Sequence, residues 1–155
     1  MAFAVNHIEK GSKGNAAVIF LHGVGGDSHS WDFQIESFSD TYRAIAWDMP
    51  GYGRSPLIDP MTFETLSDSL ISLLDHLDIE HAHMVGHSMG GMVVQQAIAV
   101  APERFRSLIL SATSPAFGKP DGDFQKKFVA TRLKPLEDGL TMADLAKTQV
   151  PNMVG

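Results

Sequence analysis

The stretch GHSMG, residues 86–90, places a serine between glycines where a short apolar run gives way to a helical pattern. A serine at a sharp turn between a strand and a helix presents its hydroxyl at the surface. The free amides and the dipole of the helix N-terminus favour developing negative charge there. This arrangement suits a nucleophile for acyl transfer, with Ser88 attacking a carbonyl carbon. The alternative is a structural serine in an ordinary strand-to-helix turn.

The glycines around the serine have a steric reason to be there. In so tight a turn, side chains at Gly86 and Gly90 are expected to collide with the neighbouring strand and helix. Gly91 extends the same close approach. The spacing therefore predicts that the backbones of the strand and the helix nearly touch at this point.

A second glycine-rich stretch, HGVGG at residues 22–26, directly follows the first strong apolar run. Acyl transfer needs backbone N–H groups directed at the oxyanion. We expect one from Met89, next to the serine, and another from this loop at Val24, with His22 and Gly23 supporting the loop. The alternatives are a phosphate-binding loop and a plain turn. A P-loop is excluded because no Gly-Lys-Ser/Thr follows, and a dinucleotide fingerprint fits poorly because the third glycine is missing at the required offset.

Alternating strands and helices must position these two loops. Apolar runs predict strands at 16–21, 42–47, 82–86 and 107–110, with a further one near 3–8. Helical periodicity predicts helices at 30–38, after Thr62, and at 89–100. Short amphipathic helices at 124–133 and 141–147 are expected to be joined through Lys134-Pro135 and Gly139. The alternation predicts an α/β fold, with a mainly parallel sheet and helices on both faces.

Composition narrows the classes of function. The 155 residues are 44% apolar and 19% charged, enough for one domain with a core. The net charge of −6 excludes a basic footprint for nucleic acid, and no apolar run is long enough for a membrane span. The first residues show no secretory leader. The absence of cysteine excludes disulfides and thiolate metal sites, and it fits a cytoplasmic protein.

With DMPGYGRS at 48–55, the two glycine-rich motifs resemble the α/β-hydrolase superfamily, in the same chain order. Within it, the sequence most resembles 3-oxoadipate enol-lactonases and related small esterases. The stretches that carry this likeness are HGVGG, WDFQIESFSDTYRAIAWDMPGYGRS, GHSMGG and RLKPLEDGLTMADLA. The resemblance implies a partial α/β-hydrolase core over 1–114 and the beginning of a helical cap over 115–155. Four apolar residues have two alternative interpretations: they line an apolar pocket under that cap, or they belong to the ordinary core. They are Trp31, Phe117, Phe124 and Met142.

The same resemblance shows what the chain lacks. In the family, an acid and then a histidine follow the serine along the chain. All seven histidines of this chain precede Ser88. The later acids in the loop and cap region are interpreted as solvated: Asp121, Asp123, Glu137, Asp138 and Asp144.

Upstream histidines offer weak substitutes for the base. We favour packing beside the turn for His87, and a hydrogen bond within its loop for His22, over a role as general base. His81 and His83 would lie on one strand face, as a metal pair does, but no third ligand is apparent.

These features predict a hydrolase of small carboxylic esters or lactones that uses no metal or organic cofactor. Without its base, the chain alone is expected to be nearly inactive. The alternatives are a C–C bond hydrolase or cofactor-free haloperoxidase on the same scaffold, or a catalytically inactive truncated or split domain. A sheet that ends with the strand at 107–110 has an unpaired edge. We therefore expect self-association, a complementary C-terminal chain, or a chain that is a piece of a longer protein.

Overall fold

The computed structural model describes residues 5–116, 118–119, 122–149 and 151. They form two compact units, the first ending at Pro115 and the second beginning at Ala116.

The first unit is built on a five-stranded sheet with the order β1-β3-β2-β4-β5. Its strands are β1 (His7–Lys10), β2 (Ala17–Leu21), β3 (Arg43–Trp47), β4 (Ala82–His87) and β5 (Phe105–Ser111). Only β1 runs antiparallel to its neighbour, and every other pairing is parallel. The helices are α1 (Asp32–Phe38), α2 (Phe63–His76) and α3 (Met89–Val100), with short 3-10 turns at Ser28–Trp31 and Pro102–Arg104. The predicted, mainly parallel α/β architecture is thus confirmed.

The central strand β2 divides its side chains between two cores. Ile19 and Leu21 belong to a core shared with α2 and α3, whereas Val18 and Phe20 belong to one shared with α1. All five β2 residues are buried. This explains why β2 reads as a continuous apolar run: a parallel strand covered on both faces has no solvent-facing side chain.

Helix α2 shows how the sequence fixes one of these layers. The hydroxyl of Thr62 accepts the Thr65 amide and starts the helix. Leu66, Leu70 and Leu73 recur with helical spacing and are buried against the sheet. Helix α3 packs beside α2 on the same face through Val93, Val94 and Ala97.

Several boundaries differ from the sequence prediction. The first strand lies at His7–Lys10 rather than 3–8, and positions 3 and 4 lie outside the described residues. The turn that begins at Ser28 is 3-10, and the α-helix starts only at Asp32. Asp27 caps that turn by accepting the His29 amide, so a polar contact sets its start rather than the apolar stripe.

The second unit contains two helices, α4 (Asp123–Glu137) and α5 (Met142–Gln149). The expected break at Lys134-Pro135 is wrong, because α4 continues through Pro135 to Glu137. A proline near the last turn removes only one helical hydrogen bond, and the Leu140 amide caps the end by donating to the Pro135 carbonyl at 2.9 Å. That this region begins a cap stays a prediction.

Candidate active site

Ser88 occupies a strained turn between β4, which ends at His87, and α3, which begins at Met89. Its backbone angles are φ 50° and ψ −118°, a conformation that non-glycine residues rarely adopt. Strain of this kind costs of order 1–3 kcal/mol and persists only where the surroundings hold it in place. The residue is half-buried, and its side chain does not cap α3.

Three glycines allow this turn to form. A β-carbon at Gly86 would lie 2.5 Å from the Gly91 Cα, inside the turn itself. A β-carbon at Gly90 would lie 2.4 Å from the Leu21 carbonyl oxygen at the end of β2. At Gly91 it would lie 2.7 Å from Cγ2 of Thr113. Each distance is far below van der Waals contact. Backbone packing therefore requires glycine at positions 86 and 90, and the Thr113 side chain requires it at position 91.

A short segment that begins with the last residue of β5 holds both backbone polar groups of Ser88. The Ser88 amide donates to the Ser111 carbonyl at 2.9 Å, and the Thr113 hydroxyl donates to the Ser88 carbonyl at 2.7 Å. Ala112, between them, itself has a positive φ of 48°. We call Ser111–Thr113 the clasp. Sequence reasoning missed this role, because no local pattern marks a segment that acts on a residue 25 positions away.

The loop at residues 22–26 packs directly against the serine. A β-carbon at Gly23 would lie 2.9 Å from Cβ of Ser88. The loop is closed by a hydrogen bond of 3.2 Å that the Gly26 amide donates to the Gly23 carbonyl. Within the part of the chain that the structure describes, neither the Val24 nor the Met89 amide donates to a backbone carbonyl. Neither amide is thus bonded to the backbone, and their role as donors to an oxyanion beside Ser88 stays a prediction.

His22 is fully occupied in holding this loop. The Met49 amide donates to Nε2 at 3.0 Å, so Nε2 must accept, and the proton lies on Nδ1, which donates to the Gly23 carbonyl at 2.8 Å. Burial lowers the pKa of His22, against a smaller opposing effect from its bond to Gly23. The ring is therefore neutral and has no nitrogen free for a substrate. His87 is exposed and lies beside Gly23.

Asp48, at the end of β3, anchors the neighbouring turn. Its buried carboxylate accepts the Ser28 amide at 2.7 Å, the Arg54 amide at 2.9 Å and the Asn6 side-chain amide at 2.7 Å. Burial alone would raise the pKa of Asp48. The hydrogen bonds stabilise its charged form more strongly, so its pKa is lowered. A β-carbon at Gly53 would lie 2.3 Å from Oδ2, so the turn admits only glycine there. Asp48 thus has a structural role.

The remaining predicted positions lie elsewhere. Trp31 packs on Phe20, with ring centroids 5.1 Å apart, and belongs to the core on the α1 face. Phe124 and Met142 are exposed in the second unit, and Phe117 lies outside the described residues. Asp123, Glu137 and Asp138 are exposed, Asp144 is half-buried, and Asp121 is outside the described set.

The His81/His83 pair does not share a strand face. His81 precedes β4, while Nδ1 of His83 lies 2.7 Å from the Ser107 hydroxyl. Among the described residues, no three His, Asp or Glu side chains are grouped as a metal site requires. No helix of these residues is long and apolar enough to cross a membrane.

Comparison with known proteins identifies the scaffold. The family model for the alpha/beta hydrolase fold matches residues 16–151. The 3-oxoadipate enol-lactonase 2 of Acinetobacter baylyi is 35% identical over 117 residues, which cover 75% of this chain and 44% of that protein. A dihydrolipoyllysine-residue acetyltransferase component of an acetoin cleaving system from Pseudomonas putida is 38% identical over 123 residues, or 79% of this chain and 33% of that one.

A solved structure agrees with these sequence matches. A hydrolase from Pseudomonas aeruginosa superimposes with a TM-score of 0.80 and 26% identity, over 96% of this chain and 54% of that one. The chain thus spans less than half the length of each of these two relatives. With the strained serine turn and the adjoining glycine loop in place, these matches show that the chain belongs to the α/β-hydrolase family.

Proposed function

We propose that this chain carries the nucleophile and the oxyanion hole of a serine hydrolase that acts on small carboxylic esters or lactones. One observation carries the proposal: Ser88 stands at a strained turn, between the first amide of α3 and the glycine loop that packs against its Cβ. A strained serine with an unengaged hydroxyl, beside available amides, is the geometry that acyl transfer uses.

In the proposed reaction, the Ser88 oxygen attacks the carbonyl carbon, and the carbonyl oxygen becomes an oxyanion. The Val24 and Met89 amides donate to that oxyanion. Collapse of the tetrahedral intermediate breaks the ester C–O bond, and the leaving oxygen takes up a proton. Water then attacks the acyl-serine, releasing the acid and restoring the hydroxyl. In a lactone the leaving oxygen stays attached to the acyl group, so one product forms.

A histidine oriented by an acid must take the Ser88 proton and return it to the leaving oxygen. We infer that this base is supplied from outside the residues described above. His22 has both nitrogens engaged, and no histidine follows Ser88 in this sequence. Loss of such a base typically costs about 10⁶ in turnover. The isolated chain 1–155 should therefore be nearly inactive.

The substrate class rests on the relatives. The similar protein from Acinetobacter baylyi is named an enol-lactonase, and another relative, from Pectobacterium carotovorum, is named a methyl ester esterase. Both names describe cleavage of an acyl C–O bond. A chain without cysteine suits a reducing compartment, so we place the protein in the cytoplasm.

A substrate panel tests this proposal. The full chain would be mixed with the part of the Acinetobacter baylyi enol-lactonase that follows the region similar to it, then offered an enol-lactone, an aryl ester, a vinylogous diketone, and peroxide with halide. We expect turnover of the lactone and the ester, lost in Ser88→Ala and retained in Ser37→Ala, an exposed serine on α1. Turnover that survives Ser88→Ala, or activity confined to the diketone or to peroxide, would overturn the proposal.

A further inference from the structure

The peptide unit that joins Ser88 to Met89 is held by its carbonyl. That carbonyl accepts the Gly91 amide at 3.0 Å, the Met92 amide at 3.3 Å and the Thr113 hydroxyl at 2.7 Å. The first two donors belong to the first turn of α3, whereas the third comes from the clasp. A carbonyl oxygen has two lone pairs, so the acceptor capacity of this one is fully used.

Holding the carbonyl also fixes the amide at the other end of the same peptide unit. The peptide bond is planar, and in its trans form the C=O and the N–H point in opposite directions. Whatever sets the direction of the Ser88 carbonyl therefore sets the direction of the Met89 N–H, which is the oxyanion donor of the proposed function. Hydrogen bonds to a carbonyl also polarise the peptide unit, and this strengthens its N–H as a donor.

Of the three donors, only the Thr113 hydroxyl ties this peptide unit to the sheet. The two helical donors move with α3 itself, so they cannot hold the unit against the strands. The clasp begins at Ser111, which pairs in register with His87 at the end of β4. A strained conformation such as that of Ser88 persists only where the surroundings hold it from more than one side. Thr113 supplies the contact that α3 alone cannot.

A glutamine of α3 holds the chain that carries Thr113. The side-chain amide of the half-buried Gln95 donates to the Gly91 carbonyl at 3.1 Å and to the Ser114 carbonyl at 3.3 Å. An amide nitrogen carries two N–H groups, which is one for each carbonyl. Because Ser114 directly follows Thr113, this one side chain joins the start of α3 to the end of the clasp.

We propose that Thr113 and Gln95 are positioning residues that set the direction of the Met89 N–H. Thr113 fixes the peptide unit between Ser88 and Met89, and Gln95 fixes the chain that carries Thr113. Both act through the backbone rather than on the substrate. The consequence for catalysis rests on the proposed function, because the direction of this N–H matters for chemistry only if it donates to an oxyanion beside Ser88.

Hydrogen exchange in the full chain tests the structural step. The Gly91 amide donates to the Ser88 carbonyl, so its exchange rate reports how firmly the peptide unit is held. We expect exchange at Gly91 to be about fivefold faster in Thr113→Val and about threefold faster in Gln95→Met, since each variant loses hydrogen-bond donors but keeps a side chain of similar shape. Thr113→Ser retains the hydroxyl and should exchange as the wild type does.

Two controls separate a local effect from general loosening. Gln96→Met alters a neighbouring half-buried glutamine of α3 and should leave exchange at Gly91 unchanged. Exchange at the Ala97 amide, further along α3, should be the same in all of these variants.

The reactivity of Ser88 tests the catalytic step. The full chain would be mixed with the segment of Acinetobacter baylyi enol-lactonase 2 that follows the region similar to this chain, and a fluorophosphonate would be added. The Ser88 oxygen displaces fluoride from phosphorus, and the phosphoryl oxygen takes the place of the oxyanion. Loss of a whole oxyanion donor typically costs about 10²–10³ in rate, so a misdirected donor should cost less. We expect modification to be about tenfold slower in Thr113→Val, slower also in Gln95→Met, and restored in Thr113→Ser.

Exchange at Gly91 that matches the wild type in both Thr113→Val and Gln95→Met would overturn the proposal. So would faster exchange with an unchanged rate of modification, since the two residues would then hold the fold without directing the donor. Failure of the proposed function looks different: Ser88 of the wild type would not be modified at all. Exchange at Gly91 would even then decide whether Thr113 and Gln95 fix the peptide unit.

Discussion

The turn after β3 and the turn after β4 lie at the carboxyl ends of two strands that flank β2, yet they are built for opposite purposes. At the first, both oxygens of Asp48 are engaged by donors from three separate segments. At the second, hydrogen bonds hold the amide and the carbonyl of Ser88, while the Ser88 hydroxyl does not cap helix α3. A satisfied buried charge holds a fold together, whereas a strained residue with an unengaged hydroxyl indicates chemistry.

The largest effect should come from removing the carboxylate. Asp48→Ala leaves the Ser28, Arg54 and Asn6 donors without their acceptor, at about 1–3 kcal/mol for each group; only the Ser28 contact is fully buried, so we expect a loss of at least about 3 kcal/mol. Ser88→Ala breaks no described hydrogen bond and should change stability by less than about 0.5 kcal/mol. Urea unfolding followed by the fluorescence of buried Trp47 measures both. Equal losses of unfolding free energy in the two variants would contradict the different roles assigned to the two turns.

Crowding in the serine turn gives the next effect. In Gly90→Ala the new methyl group would meet the Leu21 and His22 carbonyl oxygens at 2.4 and 2.6 Å, both of them backbone atoms that cannot swing aside. We expect a loss of about 2–3 kcal/mol. The matched control is Gly14→Ala, where the nearest atom would lie at 3.8 Å. If thermal unfolding shows both variants to be equally stable, the close approach of α3 to β2 is wrong.

The clasp offers a smaller and sharper test. Thr113→Val keeps the shape of the side chain but loses the hydroxyl that donates to Ser88, and should cost about 1 kcal/mol. Thr113→Ser keeps the hydroxyl and controls for packing against Gly91. Hydrogen exchange at the Ser88 amide should accelerate in Thr113→Val more than in Thr113→Ser. The reverse order would show that packing, and not the hydrogen bond, holds the turn.

The smallest effect is a dependence on pH. Burial lowers the pKa of His22 in the folded chain, so the unfolded chain takes up its proton first as pH falls. The contribution of His22 to stability is complete above the unfolded value of about 6.5 and declines below it. The stability difference between wild type and His22→Gln should therefore shrink between pH 7.5 and 5.5 in urea titrations. A difference that is constant over this range would mean that His22 does not titrate as described.

Local signals in the sequence were sufficient for much of the fold. Helix α3 is observed at Met89–Val100, as predicted, because glycines fix its start and Ala101-Pro102 fixes its end. Strand β5 is two residues longer at its start than predicted. Arg106 interrupts the apolar pattern after Phe105, and pairing with β4 orders these two residues where their own sequence does not indicate a strand.

The site was predictable only in part, for a physical reason. The glycine spacing around Ser88 follows from close packing within a short stretch of chain, so the local sequence is enough to predict it. The clasp, the three donors to Asp48 and the second partner of His22 are contacts between distant segments, so no single stretch contains them. Pro135 failed as a helix breaker because its place in the last turn of α4 makes its cost small.

The central claim is that Ser88 is a nucleophile whose base comes from outside the described residues. The most direct measurement is the rate at which a fluorophosphonate modifies Ser88, located by peptide mass mapping, with and without the enol-lactonase segment. The account predicts modification at Ser88 that is at least a thousand times faster with the segment and absent in Ser88→Ala. Rapid modification of the isolated chain, or no modification of Ser88 under either condition, would contradict it.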